Sequence, residues 1–196
     1  FSADIARNNR ELSDVLPVMQ GKIMNFTEAD GSRCNPNFTI ENADGLGYQH
    51  NCQTCTMTYE LRRRGFNVEA KPSPLVKKVM REFDLFAASK GANWTLRFLN
   101  SDGTPVKYKY SGYDIPKDTI ASKNAYIQNE TKQQGRYEVY CAWKGKNAGA
   151  HVFIVERQKN GELLWFDPQS GRRGGAFKDY LQRMSKLEIS ILRIDD

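Results

Sequence analysis

Four side chains of this sequence have the types and spacing that thiol chemistry requires: Cys52, Cys55, His151 and Asp167. A cysteine becomes an effective nucleophile when a neighbouring base takes its proton and an acid orients that base. The chain has two histidines, and His50 stands only two residues before Cys52, which gives poor geometry for proton transfer. The sequence therefore predicts a catalytic triad of Cys52, His151 and Asp167.

Cys52 is expected at the start of a helix. Asn51 is a good N-cap, residues 52–64 contain neither glycine nor proline, and Gly65 suits the position just after a helix end. N–H groups and the positive end of the helix dipole stabilise a thiolate in the first turn. Cys55 lies on the same face but deeper, so Cys52 is predicted to be the reactive thiol.

Two other interpretations of this cysteine pair remain open. A cysteine in an apolar context is often no more than a small buried residue. Cys52-x-x-Cys55 is also half of a zinc-ligand set, but Cys34 and Cys141 are isolated and supply no second half. Neither a metal nor a cofactor is predicted.

His151 and Asp167 are expected to meet across a hairpin. His151 opens one apolar run, and Asp167 closes the next, with Asn160-Gly161 between them as a turn signal. Such a hairpin brings residues near 151 and residues near 167–170 together across the strand pair. Asp167 would then orient the imidazole, and Gln169 adds a polar side chain at the same end of the sheet.

The predicted elements give an α+β layout, with helices first and an antiparallel sheet later. Helices are expected within 1–25 and at 75–88, 117–134 and 176–184, with loops over 26–50. Strands are expected at 66–70, within 94–115, and at 136–143, 150–157, 162–167 and 187–194. We divide the chain into an N-terminal helical and loop extension (1–44) and a catalytic domain (45–196).

Composition excludes several classes of protein. The 196 residues are 39% hydrophobic, which suits one compact core, and no apolar run is long enough for a membrane span. The net charge of +6 is spread out rather than gathered into a basic stripe, which argues against nucleic-acid binding. The chain begins at Phe1 without a signal-peptide core, so we expect it to be a module, C-terminal in position, of a longer polypeptide.

Two blocks of this sequence resemble papain-fold toxin domains, which are found at the C-termini of bacterial polymorphic toxins and in related phage-borne proteins. The opening block is Asn51-Cys52-Gln53-Thr54-Cys55 with the segment from Tyr59 to Ala70. The closing block runs from Gly149-Ala150-His151 to Asp167-Pro168-Gln169-Ser170-Gly171. The resemblance covers about residues 45–175, and the one departure is Ala150, where the family usually has glycine directly before the histidine.

The resemblance implies a papain-like cysteine hydrolase fold, in which N-terminal helices pack on a C-terminal antiparallel sheet. It implies a toxin effector that deamidates protein glutamine, with Cys52 as nucleophile, His151 as base and Asp167 as orienting acid. The implied partners are a protein substrate in a target cell and a cognate immunity protein that inhibits the toxin. The implied route is delivery from a bacterium, as part of a larger protein, into the target cytoplasm.

Several alternatives stay open at this point. The same fold supports a cysteine protease or an acyltransferase. Gln49 stands six residues before Cys55, a spacing similar to that of the oxyanion glutamine and nucleophile in papain-like proteases, which would make Cys55 the nucleophile. A non-catalytic binding or capsid-associated module would use both cysteines structurally. Nucleic-acid binding through Arg62–Arg64 is the least favoured, because these arginines also suit a helix C-terminus.

Overall fold

The computed structural model describes residues 23–30, 34–38, 45–72, 98–146 and 148–195. Predictions for residues 1–22, for the helix at 75–88 and for the extended segment at 94–97 lie outside the described residues. Within the described ranges the helices are α1 (Phe26–Asp30), α2 (Gly45–Tyr48), α3 (Cys52–Arg63), α4 (Ile120–Glu130), a 3-10 turn (Gly174–Phe177) and α5 (Lys178–Arg183). The strands are β1 (Tyr108–Tyr110), β2 (Gly135–Trp143), β3 (Ala150–Arg157), β4 (Leu163–Phe166) and β5 (Met184–Arg193).

The five strands form one antiparallel sheet in the order β1-β5-β2-β3-β4. Strands β2 and β3 are central, and their side chains are almost continuously buried, as expected when both faces of a sheet are covered. The predicted α+β class is confirmed.

Each face of the sheet carries its own apolar cluster. Side chains at odd positions of β3, such as Phe153 and Val155, pack with residues of α4, the 3-10 turn and α5. Side chains at even positions, Val152 and Ile154, pack against Tyr59 of α3 and the segment around α1. The alternation of a strand thus places helix α3 on one face and helices α4 and α5 on the other.

Helix α3 has a well-defined end. Gly65 adopts φ 103°, a backbone conformation that is energetically unfavourable for any residue that carries a side chain. The N–H of Gly65 donates to the carbonyl of Arg62 at 2.9 Å, and the N–H of Phe66 donates to that of Leu61 at 3.0 Å. These two bonds form a Schellman motif, which satisfies the last carbonyls of the helix.

Part of the predicted N-terminal extension packs against α3. The Arg62 guanidinium donates from Nε to the carbonyl of Ala29 at 2.6 Å, and Ala70 N–H donates to the carbonyl of Cys34 at 2.7 Å. Ala29 and Cys34 are both buried. The boundary at residue 45 stays a prediction.

The structure corrects two predictions about local elements. The stretch 26–50, expected to be loops, contains the short helices α1 and α2. The strand predicted at 66–70 does not form, since residues 67–72 belong to no helix or strand. Both segments are short, and their conformation is decided by packing against α3 rather than by a periodic pattern.

A helix that crosses a membrane must be both long and apolar. None of the helices in the described part of the chain combines the length and the apolar character that a membrane crossing requires.

Replacement of Gly65 by alanine tests the end of α3. We expect Gly65→Ala to lower the free energy of unfolding by about 1–2 kcal/mol, because alanine is strained at positive φ. Gly175→Ala is the matched control, since Gly175 has ordinary φ and open space around its α-carbon, and should change stability by less than about 0.5 kcal/mol. An equal loss of stability in Gly65→Ala and Gly175→Ala, measured by urea unfolding, would contradict this account.

Candidate active site

The β3–β4 hairpin brings His151 and Asp167 together, as predicted. The turn is closed by Gln158 N–H donating to the carbonyl of Glu162 at 2.8 Å, and Gly161 takes φ 84° within it. The strand register runs from Arg157↔Leu163 to Ile154↔Phe166, so the pair opens toward His151 and Asp167 at the far end. His151 Nε2 lies 3.1 Å from Asp167 Oδ2.

Asp167 is fully buried and surrounded by donors. Its Oδ2 accepts hydrogen bonds from Ser170 Oγ at 2.6 Å and Tyr180 Oη at 2.5 Å, besides its contact with His151. Its Oδ1 accepts from the N–H of Gln169 at 2.9 Å. Burial by itself would raise the pKa of this carboxyl, but the His151 charge and these hydrogen bonds lower it to about 2. Asp167 is therefore ionised at neutral pH.

His151 is held by an ion pair and by two aromatic rings. Burial acts to lower the pKa of His151, but the charge and hydrogen bond of Asp167, with a smaller contribution from Cys52, raise it to about 10. Trp143 stacks on the imidazole with ring centroids 5.8 Å apart, and Tyr180 meets it edge-on at 5.4 Å. Because Nε2 faces Asp167, Nδ1 is the ring nitrogen left for Cys52.

Cys52 begins helix α3 beside His151. The first helical bond runs from Cys55 N–H to the carbonyl of Asn51 at 3.0 Å, which puts Cys52 in the first turn. Its thiol acts on the His151 imidazole, where it contributes, less than Asp167 does, to the raised pKa of His151. Cys52 retains 8% exposure, so part of it reaches the surface. The three predicted site residues thus lie together.

Cys55 occupies a different environment. It has no exposed surface, and its thiol donates to Asn51 Oδ1 at 3.2 Å. Burial, followed by the charges of Cys52, Asp167 and Cys34, raises its pKa well above the ordinary value. Cys55 is therefore kept as a neutral thiol behind the helix start.

Asn51 precedes α3, as predicted, but its side chain makes no capping hydrogen bond to the helix. Its Oδ1 accepts instead from Cys55 Sγ and from Gln169 Nε2, both at 3.2 Å. Its Nδ2 donates to Asn35 Oδ1 at 3.2 Å and to the carbonyl of Lys71 at 3.0 Å. Asn51 thus joins the helix start to the turn that carries Asp167.

Gln169, which the sequence placed at the same end of the sheet as His151 and Asp167, has a structural role. Besides its bond to Asn51, its carbonyl accepts from Asn35 Nδ2 at 2.9 Å. Gln49, half-buried in the turn before α3, keeps its suggested oxyanion role as a prediction only.

The three consecutive arginines at the end of α3 are engaged by protein groups. Arg62 is buried and bonds backbone carbonyls, Arg63 pairs with Glu156, and Arg64 Nε lies 2.7 Å from Glu60 Oε1. The run is therefore part of the packing between α3 and its surroundings rather than an open basic surface.

Sequence reasoning missed three residues that shape the site: Trp143, Ser170 and Tyr180. Ser170 stands three residues after Asp167, and a serine at that spacing from an aspartate is a common turn signal that could have indicated its role. Trp143 and Tyr180 reach the site from β2 and α5, and no local pattern reveals such a contact.

A metal site would need several ligands close together. Among residues 23–30, 34–38, 45–72, 98–146 and 148–195, no three His, Cys, Asp or Glu side chains are grouped to hold an ion. The four cysteines are free thiols.

A thiol at the start of a helix, an imidazole on the sheet that this helix packs against and a buried carboxylate after the next strand give the layout of a thiol-dependent hydrolase. The profile of a family described as "Papain fold toxin 1, glutamine deamidase" matches residues 50–172, which is more than half of the chain. The chain belongs to this family of papain-fold toxins. Its predicted papain-like fold is thereby confirmed.

Comparison with solved structures finds two variants of the Salmonella effector SpvD. Each is 12% identical to this chain over 100% of both chains, with TM-scores of 0.42 and 0.41. Values this low carry no functional argument. Curated protein sequences give no significant match.

The His151–Asp167 pair should make stability depend on pH. The pKa of His151 is raised from 6.5 to about 10, so its contribution is complete below pH 6.5 and is lost as pH rises through about 10. The pKa of Asp167 is lowered from 3.8 to about 2, so its contribution is present above pH 3.8 and is lost as pH falls through about 2. We expect the stability difference between the wild type and His151→Gln to be greatest between pH 3.8 and 6.5.

Urea unfolding at a series of pH values measures this difference. Val155→Ala removes apolar volume from the same strand without removing a titratable group, so its effect should not vary with pH. A His151→Gln effect that stays constant from pH 6 to pH 10 would contradict the ion pair.

Proposed function

We propose that this chain is the toxin effector domain of a glutamine deamidase, with Cys52 as the nucleophile, His151 as the general base and acid, and Asp167 as the orienting group. The observation that carries the proposal is the imidazole of His151, which pairs with a buried carboxylate at 3.1 Å and whose pKa responds to the helix-terminal thiol of Cys52. Membership of the family supports the reaction class.

In the first step, Cys52 attacks the carboxamide carbon of a glutamine side chain as a thiolate paired with protonated His151. The carbonyl oxygen takes on negative charge, and N–H groups of the first turn of α3 lie at the helix end where they can stabilise it. The tetrahedral intermediate breaks its C–N bond, His151 gives its proton to the departing nitrogen, and ammonia leaves a thioester.

In the second step, neutral His151 removes a proton from water as the water attacks the thioester carbon. Collapse of this second intermediate breaks the C–S bond, releases the glutamic acid side chain and restores the thiolate and the protonated imidazole; the released acid then loses its proton to solvent as glutamate. Asp167 keeps its charge throughout and favours the protonated imidazole in both steps.

The choice of Cys52 over Cys55 rests on exposure and hydrogen bonding. Cys52 lies at the first position of α3 and keeps 8% of its surface exposed, whereas Cys55 keeps none. Cys55 is enclosed, and its thiol proton is committed to Asn51.

The partners of this domain follow from the same proposal. Its substrate would be a protein of the target cell, and the domain would reach the target cytoplasm as part of a larger bacterial protein. A producing cell would need an immunity protein to block the site. Residues 45–196 would form the catalytic unit, with 1–44 as an extension.

Replacement of the nucleophile is the direct test. We expect Cys52→Ala to lower kcat/KM for deamidation by about 1,000-fold or more, because covalent catalysis is lost. Intact-mass analysis of a target protein should show a gain of about one dalton per glutamine modified by the wild type, with release of ammonia.

Cys55→Ala is the matched control and should keep most of the activity. Loss of activity in Cys55→Ala with retention in Cys52→Ala would overturn the assignment of the nucleophile. Peptide fragments instead of a mass gain would replace the deamidase with a protease. A Cys52 that iodoacetamide labels no faster than a model thiol would favour a non-catalytic module.

The hydrogen bond from Tyr180 to Asp167 allows a finer test. Tyr180→Phe removes one donor from the buried carboxylate and should lower kcat by about 5- to 30-fold, equivalent to 1–2 kcal/mol. Tyr113→Phe removes a hydroxyl from a side chain that is almost fully exposed and should leave kcat unchanged. Equal activity of Tyr180→Phe and the wild type would exclude this role for Tyr180.

A further inference from the structure

Two exposed arginines flank the aromatic rings that hold His151. The first is Arg183, at the end of α5, whose guanidinium carbon lies 4.6 Å from the centre of the Trp143 ring. Trp143 in turn stacks on the imidazole with nearly parallel planes, 19° apart. The Arg183 guanidinium and the imidazole therefore contact the same indole ring.

The position of Arg183 is fixed by the backbone. Lys144 N–H, one residue after Trp143, donates to the carbonyl of Arg183 at 2.8 Å. Within the described residues Arg183 has no ion pair with an acidic side chain, and it is exposed to solvent. Its positive charge is thus accessible to a molecule that approaches the site from the side of Trp143.

The second arginine, Arg172, approaches from the turn that follows Asp167. Its guanidinium carbon lies 5.5 Å from the centre of the Tyr180 ring, and the hydroxyl of that ring donates to Asp167. Its side chain is 47% exposed, and the acid nearest to it in the described structure, Asp179, lies 3.8 Å away and is 72% exposed. An ion pair with that exposure is weak and exchanges readily with other carboxylates.

Two neighbouring basic residues pair with an acid at closer range. Arg173 pairs with the buried Asp30, and Lys144 Nζ lies 2.9 Å from Asp118 Oδ2. Only Arg172 and Arg183 among these four combine exposure, contact with the rings around His151 and little or no compensation by an acid. A guanidinium that stacks on a ring still directs its N–H edge outward, where it can bind a carboxylate in bidentate fashion.

We propose that Arg172 and Arg183 form a basic rim that binds carboxylates of the protein substrate on either side of the target glutamine, so that this domain selects glutamines in acidic segments. The inference rests on the proposed function and names the class of substrate that the site accepts. The rim supplies binding and orientation, and the chemistry stays with Cys52, His151 and Asp167.

The first test compares two alkylating reagents on the full chain. Iodoacetate carries a carboxylate and iodoacetamide does not, so the ratio of their rates at Cys52 reports attraction of anions to the site. We expect Arg172→Gln/Arg183→Gln to lower this ratio by about three- to tenfold. Added salt should lower the wild-type ratio in the same direction.

Lys132→Gln/Lys159→Gln is the matched control. It removes two exposed charges from the opposite end of the β2–β3 pair, where Gly135 faces Arg157, and should keep the wild-type ratio. Use of a ratio cancels any change in the reactivity of the thiol itself. A ratio that is equal in the arginine variant and in this control overturns the proposal.

The second test uses glutamine peptides flanked by glutamate or by alanine. The wild type should show a lower KM for the glutamate-flanked peptide at similar kcat, and the arginine variant should lose this preference. Equal KM values in the wild type overturn the proposed rim. Alkylation of Cys52 does not require release of ammonia. If the domain releases no ammonia from any glutamine peptide, the deamidase proposal fails, but the alkylation ratio still tests the rim.

Discussion

The rest of the site depends on how the buried negative charge of Asp167 is stabilised. A carboxylate without solvent is stable only when donors and a positive charge surround it. Those donors come from separate parts of the fold: the imidazole from β3, a hydroxyl and an N–H from the turn after β4, and the Tyr180 hydroxyl from α5. The sheet, the closing turn and α5 must all be in place before the charge is satisfied.

A second group of polar contacts, around the Asn51 side chain, fixes the start of the helix that carries the Cys52 thiol. Its amide binds Cys55, Gln169, Asn35 and a backbone carbonyl, so the helix start is fixed relative to the turn that carries the carboxylate. The sulfur of Cys52 and the imidazole therefore belong to one connected network.

Local patterns predicted the parts of this molecule that depend on neighbours in sequence. The Asn160-Gly161 turn set the hairpin register, which places His151 beside Asp167, and the residues from 51 to 65 indicated the start and end of α3. Contacts across the fold escaped prediction: the Asn51 side chain bonds to partners far along the chain instead of capping, and Tyr180 reaches Asp167 from another element. Single-sequence periodicity holds no information about such partners.

The wide separation of the site along the chain has a consequence for its biosynthesis. The side chains of Asn51 and Gln169, which join the thiol segment to the acid segment, are 118 positions apart. At about 5–20 residues per second, a ribosome exposes the thiol on the order of ten seconds before the acid. For most of that interval the nascent chain lacks both His151 and Asp167, so the thiol segment meets its imidazole and its carboxylate only after most of the sheet has been synthesised.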